Sequence, residues 1–148
     1  MSSLFQIADS IRKCTRCPLW KHRLQPLAGV GNVNAKLMIV IESPDEVADR
    51  LGNLWASKTA KLLKVVLQNK NILFSDIFLT SLVKCSSGGS PIDLHEVEEC
   101  SIFLTEQIKQ FKSLEHIFVI SQNKKLIIPK NAKQFSNVDE LDSFLIPK

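Results

Sequence analysis

No segment of this 148-residue chain is a long, uninterrupted apolar run, so no membrane span is expected. No secretory leader is visible either. The reading therefore places the protein in the cytoplasm, a reducing compartment where paired disulfides are not expected. No glycine-rich, phosphate-cradling loop follows an apolar run, which argues against a nucleotide cofactor. A Gly-x-Ser-x-Gly elbow and a clustered Ser/His/Asp set are both absent, so a serine hydrolase is not indicated. Repeats and low-complexity tracts are missing, and Ser86-Ser87-Gly88-Gly89-Ser90 is the one clear flexible loop. Charge is nearly balanced, 19 Lys and Arg against 15 Asp and Glu. The net +4 permits contact with nucleic acid without arguing for it.

What is present fits one compact domain over residues 1–148. Hydrophobic residues make up 45% and charged ones 23%, enough apolar material for a real core. The four cysteines are the sharpest signal. Cys14 and Cys17 form a C-x2-C knuckle, and Cys85 and Cys100 follow far downstream. Two thiolates on a knuckle fit one side of a metal site, and two distant ones close a tetrahedron. An iron–sulfur cluster and a zinc ion both suit four thiolates, and spacing alone leaves the two open.

Apolar periodicity supplies the rest. Leu4, Phe5, Ala8 and Ile11 share a helical face over residues 3–12, a short helix that would deliver the knuckle. Lys21 to Val33 reads as irregular, punctuated by Pro26, Gly29 and Gly31. Residues 36–41 read as a buried parallel strand ending in the polar turn Glu42-Ser43-Pro44-Asp45, and ligands of open α/β sheets bind at strand carboxyl ends. Trp55, Thr59, Leu62, Leu63, Val66 and Leu67 give an amphipathic helix over about 56–69, with Lys58, Lys61 and Lys64 on its solvated side. Residues 77–83 are a second strand. Ser90, Pro91 and Asp93 should start a helix carrying Leu94, Val97, Cys100, Phe103, Leu104 and Ile108. Residues 117–120 are a third strand, Leu126-Ile127-Ile128 a candidate fourth, and Asn137 and Glu140 should cap a last helix. This alternation predicts a three-layer αβα domain with a mainly parallel four-stranded sheet.

These residues also carry a resemblance. Cys14-x-x-Cys17-Pro18-Leu19-x-x-x-Arg23, then Gly29-x-Gly31-Asn32-x-x-Ala35, resembles the N-terminal signature of the iron–sulfur, family 4 uracil-DNA glycosylases. Ile39 to Asp45 lies where that family has a strand ending in Gly-Glu-x-Pro-Gly. Asp49, Gly52, Trp55 and Lys58 keep the spacing of its next segment. Thr80-Ser81-Leu82-Val83-Lys84-Cys85 is similar to its Thr-Asn-x-x-Lys-Cys, and Glu96, Cys100, Phe103 and Leu104 to its Glu-x-x-x-Cys-x-x-(Phe/Tyr)-Leu. The resemblance covers roughly residues 3 to 122. It implies that Cys14, Cys17, Cys85 and Cys100 hold a structural [4Fe-4S] cluster.

The family flips uracil out of DNA, stacks it on an aromatic ring and reads its edge with an Asn amide. A histidine in a His-Pro loop then stabilises charge on the leaving base. By resemblance, the substrate-binding positions are Glu42, Ser43, Trp55 and Ser81, and the catalytic candidates are Glu42 and Asp45. Ser81 replaces the Asn, and one hydroxyl cannot make an amide's two-point contact. Ile41 and Asp45 stand where the turn has Gly. No His-Pro occurs; the histidines are His22, His95 and His116. Segment 123–148 is expected to be shortened and divergent, with the family's last strand and catalytic loop cut away or replaced.

Three functions are expected, in this order. The first is a catalytically inactive or weak glycosylase-fold protein that binds DNA or another nucleic acid, or serves as a subunit with a protein partner. Arg12, Lys13, Arg16, Lys21 and Arg23 around the knuckle would then meet phosphates. The second is an active DNA glycosylase using Glu42 or Asp45. The third is a cluster-bearing redox module.

Overall fold

The computed structural model describes residues 3–15, 25–86 and 91–145. Three strands alternate side chains between two cores, and that alternation builds the layers. In β2 (Leu37–Ile41), Met38 and Val40 face one side while Leu37, Ile39 and Ile41 face the other. In β3 (Ile77–Ser81), Phe78 opposes Ile77 and Leu79. In β4 (His116–Ile120), Ile117 and Val119 oppose Phe118 and Ile120. Strands buried on both faces read as continuous apolar runs, which is why the sequence reveals them.

Among the described residues the sheet has five strands in the order β1-β3-β2-β4-β5, one more than expected. β2 pairs in parallel with β3 and β4, and β4 in parallel with β5 (Lys133–Phe135). The short β1 (Val30–Gly31) runs antiparallel to β3. Gly31, at φ 141°, needs its missing Cβ there, because one would meet the Ile77 carbonyl and the Phe78 backbone.

On one face lie α1 (Leu4–Arg12) and α4 (Leu94–Lys109), packed on each other. Val97, Cys100 and Leu104 of α4 join Met38, Val40 and Val119 in the core there. On the other lie α3 (Lys58–Asn69) and α5 (Val138–Phe144), where Leu63, Leu67 and Leu141 meet Ile39, Leu79 and Phe118. An ion pair between Lys70 and Asp142 also links α3 to α5. The three-layer α/β architecture is the one expected.

Several local expectations are corrected. Leu126-Ile127-Ile128 is not a strand: Leu126 is buried, Ile127 is half exposed, and Pro129 removes a ladder donor directly after them. The edge strand is Lys133–Phe135, in which only Phe135 is apolar and buried. The start of α4 is capped by Asp93, which accepts from the Glu96 N–H while Glu96 reaches back to the Asp93 N–H. Ser90, the expected cap, lies outside the described residues. Helix α3 begins at Lys58, with Trp55 in a separate 3-10 turn at Leu54–Ala56. Leu62 and Leu94 are exposed, not core-facing. A short helix α2 (Glu46–Leu51), a stretch to which the sequence reading assigned no element, follows the polar turn and is closed by Gly52 at φ 73°.

Candidate functional site

A cavity of about 610 Å³ opens at the carboxyl ends of β2 and β4, where an α/β sheet places its ligands. Ile41 and Ile120 end those strands at its floor. Glu42, Ser43, Pro44 and Asp45 form one wall, Thr59 and Ile92 contribute from α3 and from the segment before α4, and Ser121, Asn123, Ser136 and Asn137 close the far side. The polar turn Glu42–Asp45 therefore stands where the strand pattern places it.

The two carboxylates in this wall differ in what holds them. Asp45 caps α2 and also serves the start of α3, whose own cap is Ser57: Oδ1 accepts from the Ala48 N–H at 2.9 Å and Oδ2 from the Lys58 N–H at 2.8 Å. Both oxygens thus work on backbone at the starts of α2 and α3. Glu42 is held by a single hydroxyl, its Oε2 accepting from Ser121 Oγ at 2.5 Å. Its backbone carbonyl accepts from the Val83 N–H at 3.0 Å.

The far wall presents amides. Asn123 Oδ1 accepts from the Lys125 N–H, and Asn137 Oδ1 from the Glu140 N–H at the start of α5. Each amide is thereby oriented, with its NH2 group left to act as a donor. Glu140 also accepts from the Ser136 N–H, and that hydrogen bond holds its carboxyl below the ordinary value of 4.5.

Two residues expected at the site are not in the cavity wall. Trp55 is half-buried and leans on Phe74, ring centroids 5.3 Å apart. Ser81 is fully buried beside Ile41 in the β2–β3 ladder, and among the described residues its hydroxyl has no partner. Just below it, Lys84 is buried completely. Its ammonium donates to Thr80 Oγ1 at 2.8 Å and to the Ser81 carbonyl. Burial pushes Lys84 down to about 7, against an opposing pull from Cys100.

Cys85 and Cys100 are buried in one core cluster, and Cys14 follows the last turn of α1, which packs on α4. Among the described residues, no group of three or more His, Cys, Asp or Glu side chains is gathered as a metal site would be. Cys17 lies outside them, as do Arg16, Lys21, His22 and Arg23. Arg12 and Lys13 both pair with Asp9, at 2.8 and 3.1 Å, and these contacts hold the Asp9 carboxyl below its ordinary range. No histidine lines the cavity among the described residues. His95 is exposed in the first turn of α4, and His116, stacked on Phe118, starts β4 at the opposite end of the sheet.

Ser121, Asn123 and Ser136 escaped the sequence reading, and Asn137 was read only as the cap of the last helix, which it is. For Ser121 a usable signal existed, a polar residue directly after the buried run 117–120. For Ser136 none did, because β5 itself was not visible.

Comparison with known proteins agrees with this geometry. The family model described as "Uracil DNA glycosylase superfamily" matches residues 28–139, a span running from before β1 into α5 and taking in β5. The type-4 uracil-DNA glycosylase of Saccharolobus solfataricus is 35% identical over 121 residues, 80% of this chain and 55% of that protein. Its namesake in Sulfurisphaera tokodaii is 28% identical over 143 residues, 95% of this chain and 65% of that protein. That of Thermotoga maritima is 29% identical over 104 residues, 70% of this chain and 54% of that protein. The chain thus spans little more than half the length of most of the curated relatives it matches. With the family model covering every strand and the cavity between them, this chain belongs to the uracil DNA glycosylase superfamily, and its likeness within it is to the type-4 enzymes.

Proposed function

We propose that this protein is a DNA glycosylase that excises uracil, or a related damaged base, from DNA through the cavity at the ends of β2 and β4. The observation that carries this reading is the cavity itself, with Glu42 in its wall as a carboxylate not used to cap a helix. A flipped base enters such a pocket from the unstacked strand. The glycosidic C1′–N bond breaks with its electron pair going to the base, and water adds at C1′. Glu42 orients that water and receives its proton. Negative charge on the leaving base needs nearby donors, and the NH2 groups of Asn123 and Asn137 are the candidates. They would also read the base edge, since Ser81 is not among the residues lining the cavity. Type-4 uracil-DNA glycosylase is the printed name of the relatives, which supports the substrate assignment.

A [4Fe-4S] cluster on Cys14, Cys17, Cys85 and Cys100 belongs to this proposal, with zinc as the alternative. The donor set suits it: Cys85 and Cys100 share one buried cluster, and α1 delivers Cys14 towards α4. Held by those four cysteines, such a cluster would act as a structural crosslink between the N-terminal knuckle and the chain around Cys85 and Cys100. DNA is the partner this reading implies, and no helix among the described residues is long and apolar enough to cross a membrane.

One observation favours a second reading, a glycosylase-fold protein that binds nucleic acid with little or no catalysis, alone or with a protein partner. Among the described residues no histidine lines the cavity to act as an electrostatic donor to the leaving base. Single-turnover base release from uracil-containing single- and double-stranded DNA separates the two. Release that depends on Glu42 supports the first reading; DNA binding without release supports the second.

A further inference from the structure

We propose that Ser121 is a positioning residue that holds Glu42 with one carboxylate oxygen turned to the cavity. The inference rests on the glycosylase reading of the site and deepens it. Ser121 follows β4 directly, and the β2–β4 register sets the pair: Val40 faces Val119, so two residues on Glu42 faces Ser121.

Every hydrogen-bonding group of Ser121 is committed. Its N–H donates to the Phe135 carbonyl at 2.8 Å, tying it to β5. Its carbonyl accepts from Gln134 Nε2 at 2.8 Å, and the same amide donates to the Asn123 carbonyl at 3.1 Å. Its Oγ accepts from the Asn123 N–H at 3.1 Å. With a donor already on the oxygen, the hydroxyl proton goes to the remaining acceptor, Glu42 Oε2. Ser121 is only 2% exposed, so water does not compete freely for that proton.

The consequence is directional. Oε2 is fixed by Ser121, and Oε1 is the oxygen left to orient water or a ligand N–H. Gln134 clamps the 121–123 turn from the edge strand, so β5 serves the site by holding the residue that holds Glu42. Asp45 lacks such a device, because both its oxygens are spent on helix starts.

The test uses Ser121→Ala and Ser121→Thr in the full chain. Single-turnover uracil release at saturating protein should fall about tenfold or more in S121A, the size of one lost charge-assisted hydrogen bond. Affinity for the same DNA should stay within about twofold, and S121T, which keeps the hydroxyl, should recover most of the rate. Equal rates in S121A and the parent, or a loss of affinity that matches the loss of rate, would overturn the proposal. A double-mutant cycle of S121A with Glu42→Ala, read by thermal unfolding, decides the contact independently of activity. Non-additive effects support the hold on Glu42; additive effects overturn it. A parent protein that releases no base, with the cycle still non-additive, overturns the glycosylase reading while leaving the Ser121–Glu42 contact standing.

Discussion

Asp45 and Lys58 are thirteen residues apart, yet one carboxylate oxygen of the first caps the backbone N–H of the second at 2.8 Å. The other oxygen caps Ala48, so one side chain fixes the starts of α2 and α3 and, between them, the wall of the cavity. Asp45→Ala should therefore lower stability by about 2 kcal/mol, the loss of two hydrogen bonds at helix starts, as read by chemical denaturation. Asp45→Asn should lose less, since its amide oxygen still serves one cap. Glu42→Gln should leave stability nearly unchanged. An Asp45→Ala protein as stable as the parent would show that this capping role is wrong.

Acid should loosen the far wall. Glu140 is held below its ordinary value by the Ser136 N–H, so its folded form prefers the charged state. A depressed carboxyl contributes stability above its ordinary value of 4.5, and that contribution disappears as pH falls through the folded value. Thermal melts of the parent and Glu140→Gln should differ at neutral pH, the parent being the more stable, and converge in acid. Parallel curves across that range would contradict the assignment.

Much of the fold could be read from the chain because buried strands and amphipathic helices announce themselves. Residues 37–41, 77–81 and 116–120 are strands since their runs are apolar on both faces, and Cys100 does face inward as the period of α4 requires. Elements held mainly by polar contacts stayed hidden. β5 is three residues long with one apolar side chain, and α2 depends on a cap from Asp45 and a left-handed Gly52. The site was half legible for the same reason. Glu42 to Asp45 follows a visible strand, whereas Ser121 finds Glu42 only through sheet register. Trp55 and Ser81 were placed by resemblance, and tertiary packing turns Trp55 onto Phe74 and buries Ser81 in the ladder.

Metal content tests the cysteine assignment directly. Anaerobically purified protein should carry about four irons and four sulfides per chain, the composition of one [4Fe-4S] cluster. Cys100→Ser should lose most of the iron and unfold at a lower temperature, because Cys100 sits in the same buried core cluster as Cys85. Stoichiometric zinc with no sulfide would favour the zinc alternative.

The central claim is that the cavity excises a base, and single-turnover release on cluster-loaded protein tests it most directly. Uracil-containing DNA, single- and double-stranded, would be incubated with excess parent protein and with Glu42→Gln. The account predicts measurable release of uracil by the parent and a drop of at least about 100-fold in the variant, the scale of a lost acid–base group. A fully loaded parent that binds the DNA and releases nothing would contradict it, and would leave the fold as a nucleic-acid-binding scaffold.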